Sequence, residues 1–281
     1  LINGLSAAST KEEVRAVRDE FEKLDGKVKA FVTNYSDLVS LESALYEYKA
    51  VITEISPNPQ YYPKGGLAYG SLDHGEFIEL KVTGTDPIPL ADLKIYLSPM
   101  GSNANSYTNN LFAIESDGPT ALLPGETYVI MIYNGDSYKL GYTYATDKEM
   151  ERLWDGFNNK HGISIPPSNR ILSTAMKDTD GTTLSGANLH NSNKSGSDCA
   201  VNILTKAGKY IATGRYLGAD LADNTSVDYY FYPGVDSDPV TSGKHAVKVA
   251  PTPGTVKPYQ VLSSKEAYDN AKAAALNVDS M

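Results

Sequence analysis

The sequence is short of the residues that mark most specialised protein classes. Of 281 residues only Cys199 is a cysteine, so no intramolecular disulfide can form. That excludes the disulfide-rich small secreted scaffolds and leaves a cytosolic protein or a cysteine-avoiding surface protein. Apolar runs of roughly 18 residues, the length needed to cross a bilayer as a helix, are absent. Basic residues are outnumbered, 25 Lys and Arg against 34 Asp and Glu, for a net charge of −9. Such a chain lacks the basic stripe that a nucleic-acid backbone requires, and it is repelled by anionic lipid. No nucleic-acid partner and no membrane insertion are expected.

Catalytic patterns are equally sparse. His74, His161, His190 and His245 are scattered without metal-ligand spacing, and exposed loop positions are expected for them. There is no G-x-S-x-G elbow and no glycine-rich phosphate loop. An enzyme has no constellation of nucleophile, base or metal to stand on. The chain opens at Leu1 without a charged-then-apolar leader, and reads as an excised fragment or a processed product.

What the sequence does hold is 41% hydrophobic residues, enough for a packed core, and 20 tyrosines against 6 phenylalanines and 1 tryptophan. Tyrosine suits half-exposed strands, and also surfaces that contact sugars or proteins. Residues 1–48 have a helical pattern. Thr10 and Glu13 form a capping box, and Val14, Val17, Phe21 and Leu24 follow on one stripe until Asp25-Gly26. Val28, Phe31 and Val32 suggest a second short helix, Asn34-Tyr35-Ser36 a break, and Leu38, Leu41 and Leu45 a third helix. A module this small is marginal alone and should lean on its neighbour.

From Lys49 the period changes. Strands are expected at 51–55, 77–82, 93–97, 128–133, 201–204, 210–213 and 227–232, separated by turns such as Asp86-Pro87, Pro124-Gly125 and Ala207-Gly208. Thr146–Asn159 reads as an inserted helix that packs Met150, Leu153, Trp154 and Phe157 on one face, and 160–200 as a long polar loop. Pro251–Gly254 closes the β-rich region, and Ser263 caps a last helix over 265–276. The expected fold is mainly β: a sandwich over 49–262 with an inserted helix, preceded by a three-helix module over 1–48. The helix in 263–281 either rests its Tyr268 on the sandwich or, as its cap pattern favours, opens a further module.

Two resemblances attach to these residues. The run from Thr10 to Leu38, above all Val32-Thr33-Asn34-Tyr35, is similar to small helical repeats of Gram-positive surface proteins. Residues 51–254 resemble the bacterial lamin-tail domain, an immunoglobulin-like sandwich. Val51-Ile52-Thr53-Glu54-Ile55 stands for its first strand, Glu76-Phe77-Ile78-Glu79-Leu80 for its "glu-phe-ile-glu-leu", and Leu122 through Ile130 for its "leu-x-pro-gly-x-x-tyr-val-ile". The family's tryptophan is replaced by Ile95-Tyr96. The resemblance implies an extracellular, cell-surface or cell-wall location and a structural or adhesive role, with a protein or cell-wall glycan as partner.

Candidate sites are few. Glu54, Glu76 and Glu79 lie in apolar strands, where a carboxylate must be paired or hydrogen-bonded. Capping of loop amides or pairing with a basic residue is the expected use, and metal or acid–base chemistry the rival. Asp178 and Asp180 resemble part of a calcium loop, but Met176 and Ala187 stand where the full pattern needs acids. Calcium is therefore the one cofactor left open. Tyr138, Tyr142 and Tyr144, with Tyr61, Tyr62 and Tyr107, lie in or near loops and motivate a carbohydrate-binding alternative. A third reading is an accessory domain of a secreted hydrolase.

Overall fold

The computed structural model describes residues 1–29, 31–58, 76–100, 110–115, 118–132, 154–155, 157–159, 161–177, 183–184, 198–205, 210–217, 225–232 and 247–278. The N-terminal part is helical: α1 (Lys11–Glu22), α2 (Gly26–Lys29) and α3 (Tyr35–Leu45). Thr10 and Glu13 form the capping box, the Thr10 hydroxyl accepting from the Glu13 N–H and the Glu13 carboxylate from the Thr10 N–H. Val14 and Phe21 are buried, but α1 ends at Glu22, short of Asp25-Gly26, so Leu24 is exposed. The second helix is only one turn, and Val28 and Phe31 face solvent instead of a core. Tyr35 and Ser36, expected as a break, open α3 behind Asn34.

The rest is mainly β. The strands are β1 (Ala50–Asn58), β2 (Glu76–Val82), β3 (Ile88–Pro89), β4 (Leu93–Met100), β5 (Asn110–Glu115), β6 (Ala121–Leu122) and β7 (Thr127–Ile132), followed by β8 (Arg170–Lys177), β9 (Thr183–Leu184), β10 (Asp198–Thr205), β11 (Tyr210–Leu217), β12 (Thr225–Asp228) and β13 (Val247–Val249). One sheet runs β11-β10-β4-β5-β8-β7-β2-β1-β12-β13, with β9 on β8, and β3 pairs β6 separately. This sheet rolls onto itself, because a Cβ built on Gly214 of β11 would lie 2.8 Å from Ile55 and 3.3 Å from Ile52 of β1. The side chain missing at Gly214 lets two distant strands of one sheet meet face to face.

The inner faces alternate as strands require. Ile52 and Ile55 of β1 and Ile78, Leu80 and Val82 of β2 are buried in one cluster with Ile95, Tyr128, Ile130, Ile203 and Tyr216. The helical segment joins that cluster through Ile2, Val14, Phe21, Leu38, Tyr46 and Tyr48. Asp86 ties it down, accepting from Lys11 Nζ at 2.8 Å and from the Glu47 N–H at 2.8 Å. Gly84 sits at the same junction, buried and donating to the Lys49 carbonyl at 3.0 Å. A Cβ there would lie 2.3 Å from the Glu47 carbonyl oxygen. Gly84→Ala is accordingly expected to destabilise the fold by about 1–3 kcal/mol through overpacking against backbone, read as a lowered denaturation midpoint at unchanged slope.

The β-rich region departs from the sequence-based expectations as well. The strand expected at 227–232 is β12, which ends at Asp228, and beyond it Phe231 alone makes an isolated bridge, to Val261. The stretch 160–200, expected as loop, contains β8 and the start of β10. Its strand, Arg170–Lys177, alternates too little to stand out beside polar neighbours, yet Ile171 is fully buried. The β7–β8 pair is parallel where the other ladders are antiparallel. A parallel pair needs a crossover, and residues 154–155 and 157–159 of that crossover are helical, with Trp154 and Phe157 packed on Phe77, Val129 and Met131. Finally, α4 (Lys265–Val278) is capped by Ser264, not Ser263, its hydroxyl accepting from the Ala267 N–H at 3.1 Å. Tyr268 is buried against Tyr230, Tyr232 and Leu262, so this helix rests on the segment that follows β12.

Candidate functional site

The outer face of β1 carries an unusual row of acids. In the ladders Glu54 stands directly opposite Asp228 of β12 on one side and Glu79 of β2 on the other. Directly opposed residues hold their Cβ atoms about 5 Å apart. All three carboxylates are almost wholly buried. A bulge between Ile52 and Glu54 brings this about by inserting Thr53 as an extra residue. The Thr53 carbonyl then turns to accept from the Tyr229 N–H at 2.9 Å and from Gln260 Nε2 at 2.6 Å.

A strap, residues 251–257, covers the row. Glu79 Oε2 accepts from the N–H groups of Gly254 and Thr255 at 2.6 and 3.0 Å, and its Oε1 from the Thr53 hydroxyl at 2.5 Å. Glu54 accepts from the Thr252 N–H at 3.0 Å and lies 3.3 Å from the Thr252 hydroxyl. Lys257 closes the strap: its Nζ donates to Asp228 Oδ2 and lies 3.9 Å from Glu54 Oε2. The Tyr259 hydroxyl donates to the same Asp228 oxygen, whereas Asp228 Oδ1 is buried with no hydrogen-bond partner among the described residues. Burial, and after it the charge of Glu79, pushes the Glu54 carboxyl up to about 7, and burial also raises Glu79 above the usual carboxylate range. Glu54 and Glu79, opposed and both buried, cannot both ionise cheaply.

A second polar cluster joins the helices to the sheet. Arg18 of α1 forks onto Glu42 of α3, with Nε at 2.8 Å from Oε1 and Nη2 against Oε2. The same Nη2 lies 2.7 Å from Asp92 Oδ2, and Nη1 lies 2.9 Å from the Tyr35 hydroxyl, which donates to Asp92 Oδ1. Arg18, Glu42 and Asp92 are buried. Burial works against the guanidinium charge, but the Glu42 hydrogen bond and the Asp92 charge outweigh it and hold the proton more tightly than usual. Beside this cluster runs a groove of about 680 Å³, lined by Arg15, Tyr46, Tyr48, Pro87, Pro89 and Pro119. The Tyr46 and Tyr48 rings stack at 5.5 Å.

Of the residues singled out from sequence, Glu54 and Glu79 come together and Glu76 does not. Glu76 is buried three positions away in β2, and strand alternation places it on the opposite face. Asp228 and Lys257 complete the cluster, and both escape a reading of sequence. Asp228 offered one faint signal, an acid between Val227 and Tyr229 in a strand. His161 is half-buried against Phe157, with ring centroids 4.7 Å apart, instead of exposed in a loop. The calcium candidates Asp178 and Asp180 lie outside the described residues, as do Tyr138, Tyr142, Tyr144, Tyr61, Tyr62 and Tyr107. Among the described residues, no group of three or more His, Cys, Asp or Glu could hold a metal ion. No helix of the described residues is long and apolar enough to cross a membrane. No protein-family model matches the chain, and neither does any curated protein.

Proposed function

We propose that this chain is a non-catalytic interaction module of a bacterial secreted or cell-surface protein. In this reading it is an immunoglobulin-like β-sandwich of the lamin-tail type, with a helical module docked on it, and it binds a protein or cell-wall glycan. The observation that carries the reading is the use made of the acids. Glu54 and Glu79, the two carboxylates with raised proton affinity, lie beneath the strap and accept from its backbone N–H groups. A general acid must reach the proton it transfers in a plausible substrate pose, and here 251–257 occupies that space. A groove lined by prolines and tyrosines lies open between the helices and the sheet. Rigid aromatic and proline walls suit recognition at low entropic cost.

The experiment is a turnover screen on peptide, ester, glycan and nucleic-acid substrates. No turnover above buffer is expected. Hydrolysis that disappears in Glu54→Gln or Glu79→Gln would show that the acids do chemistry on a substrate, and the reading would fall.

A further inference from the structure

We propose that Lys257 and Asp228 join in an intramolecular amide, a covalent cross-link between the end of the strap and β12, with Glu54 as the proton carrier. The geometry supplies each participant. Lys257 Nζ donates to Asp228 Oδ2, so the nucleophilic nitrogen already sits against the carboxyl group it would attack. Asp228 is 1% exposed and Glu54 is 1% exposed, so water competes poorly for the site. Glu54 Oε2 is 3.9 Å from Nζ, and its residue is the direct ladder partner of Asp228. The Tyr259 hydroxyl donates to the same Asp228 Oδ2, so both proton donors converge on the oxygen that must be protonated to leave. The buried Asp228 Oδ1, without a hydrogen-bond partner among the described residues, is the oxygen that stays behind as the amide carbonyl.

The step balances without oxidant or cofactor. The ammonium proton passes along the existing hydrogen bond to the Asp228 carboxylate, which leaves a neutral amine and a neutral acid. The Nζ lone pair adds to Cγ and forms the C–N bond. Glu54 removes a second proton from nitrogen and delivers it to the departing hydroxyl, the C–O bond breaks, and one water is released. Net, an ammonium and a carboxylate become an amide and water. Glu54 is suited to the shuttle because burial and Glu79 push its carboxyl up to about 7, so both protonation forms are populated near neutrality. Held reactants of this kind gain large effective concentrations, which is what an uphill condensation needs.

Intact-mass spectrometry on the purified chain tests this. The expected mass is one water below that of the sequence. Trypsin should release one branched peptide that joins 216–244, which holds Asp228, to 249–265, in which the Lys257-Pro258 bond resists cleavage. Lys257→Arg preserves the cation but carries no primary amine, and should return the full mass. Glu54→Gln should return it as well. A wild-type mass equal to that of the sequence overturns the proposal. So does a water-lighter mass that persists in Lys257→Arg, which would assign the loss to another site, such as Asp-Gly succinimide. A branched peptide that survives in Glu54→Gln overturns the role given to Glu54.

Discussion

Replacing Arg18 with methionine is expected to lower stability by about 3–5 kcal/mol, a fall in Tm of roughly 10 °C. The size follows from what the substitution leaves behind. Glu42 and Asp92 each have 2% exposed side chains, and both face the guanidinium. Methionine fills much of the same volume but supplies no donor, so two carboxylates remain buried in a site built around one cation. A buried ion that loses its partner costs far more than the intact pair contributes. Arg18→Lys makes the complementary test. It keeps the charge but not the fork that reaches Glu42 through two nitrogens, Asp92 and Tyr35 together. Partial recovery is expected. If Arg18→Met melts with the wild type in thermal denaturation, the cluster contributes nothing to the junction between helices and sheet.

The same network shows what the sequence could and could not reveal. The strands at 51–55, 77–82, 93–97, 201–204 and 210–213, and the described part (128–132) of the one expected at 128–133, are legible in the sequence, because apolar alternation and flanking turns are local properties. So is the capping box at Thr10, a pattern over four residues. The bond from Arg18 to Asp92 spans 74 positions, and no periodicity announces a contact at that distance. The acid row is a second instance. That Glu54 and Glu79 need partners can be argued from their apolar neighbours alone. That the partners are a strap 175 positions downstream of Glu79 cannot. The bulge at Thr53, which sets Glu54 opposite both Glu79 and Asp228, is equally silent, since a one-residue register shift leaves no trace in composition. Strand β8 was missed for a different reason. Its residues Ser173, Thr174 and Lys177 resemble the polar loop around them, and parallel pairing to β7 depends on a crossover whose length is not encoded in any motif.

Stability is expected to fall as pH rises from about 4.5 to 7, the reverse of ordinary acid denaturation for this part of the molecule. Glu54 titrates near 4.5 when unconstrained and is pushed up to about 7 in the folded chain, first by burial and then by the Glu79 charge. Between those values the folded state holds a proton that the unfolded state has released. Stability therefore declines with pH through that window, and it is flat below 4.5, where both states are protonated. The raised Glu79 carboxyl adds to the same slope. For Glu54 alone the difference is on the order of 3 kcal/mol. The measurement belongs in the Lys257→Arg background, where no amide to Asp228 can form and the cation is kept. There, Glu54→Gln should remove most of the decline. Its amide oxygen can still accept from the Thr252 N–H, its nitrogen can donate to the Thr252 hydroxyl, and no charge opposes Glu79. The double variant is then expected to match its parent at pH 4 and to exceed it by about 2–3 kcal/mol at pH 8 in urea denaturation. Glu79→Ala should do the opposite at every pH, because it strips the acceptors from the Gly254 and Thr255 N–H groups and from the Thr53 hydroxyl. A double variant that is less stable than its parent at pH 8 would mean that Glu54 is ionised and stabilising, held by the cation kept at position 257 and by the strap, and that desolvation is not the dominant force on this row.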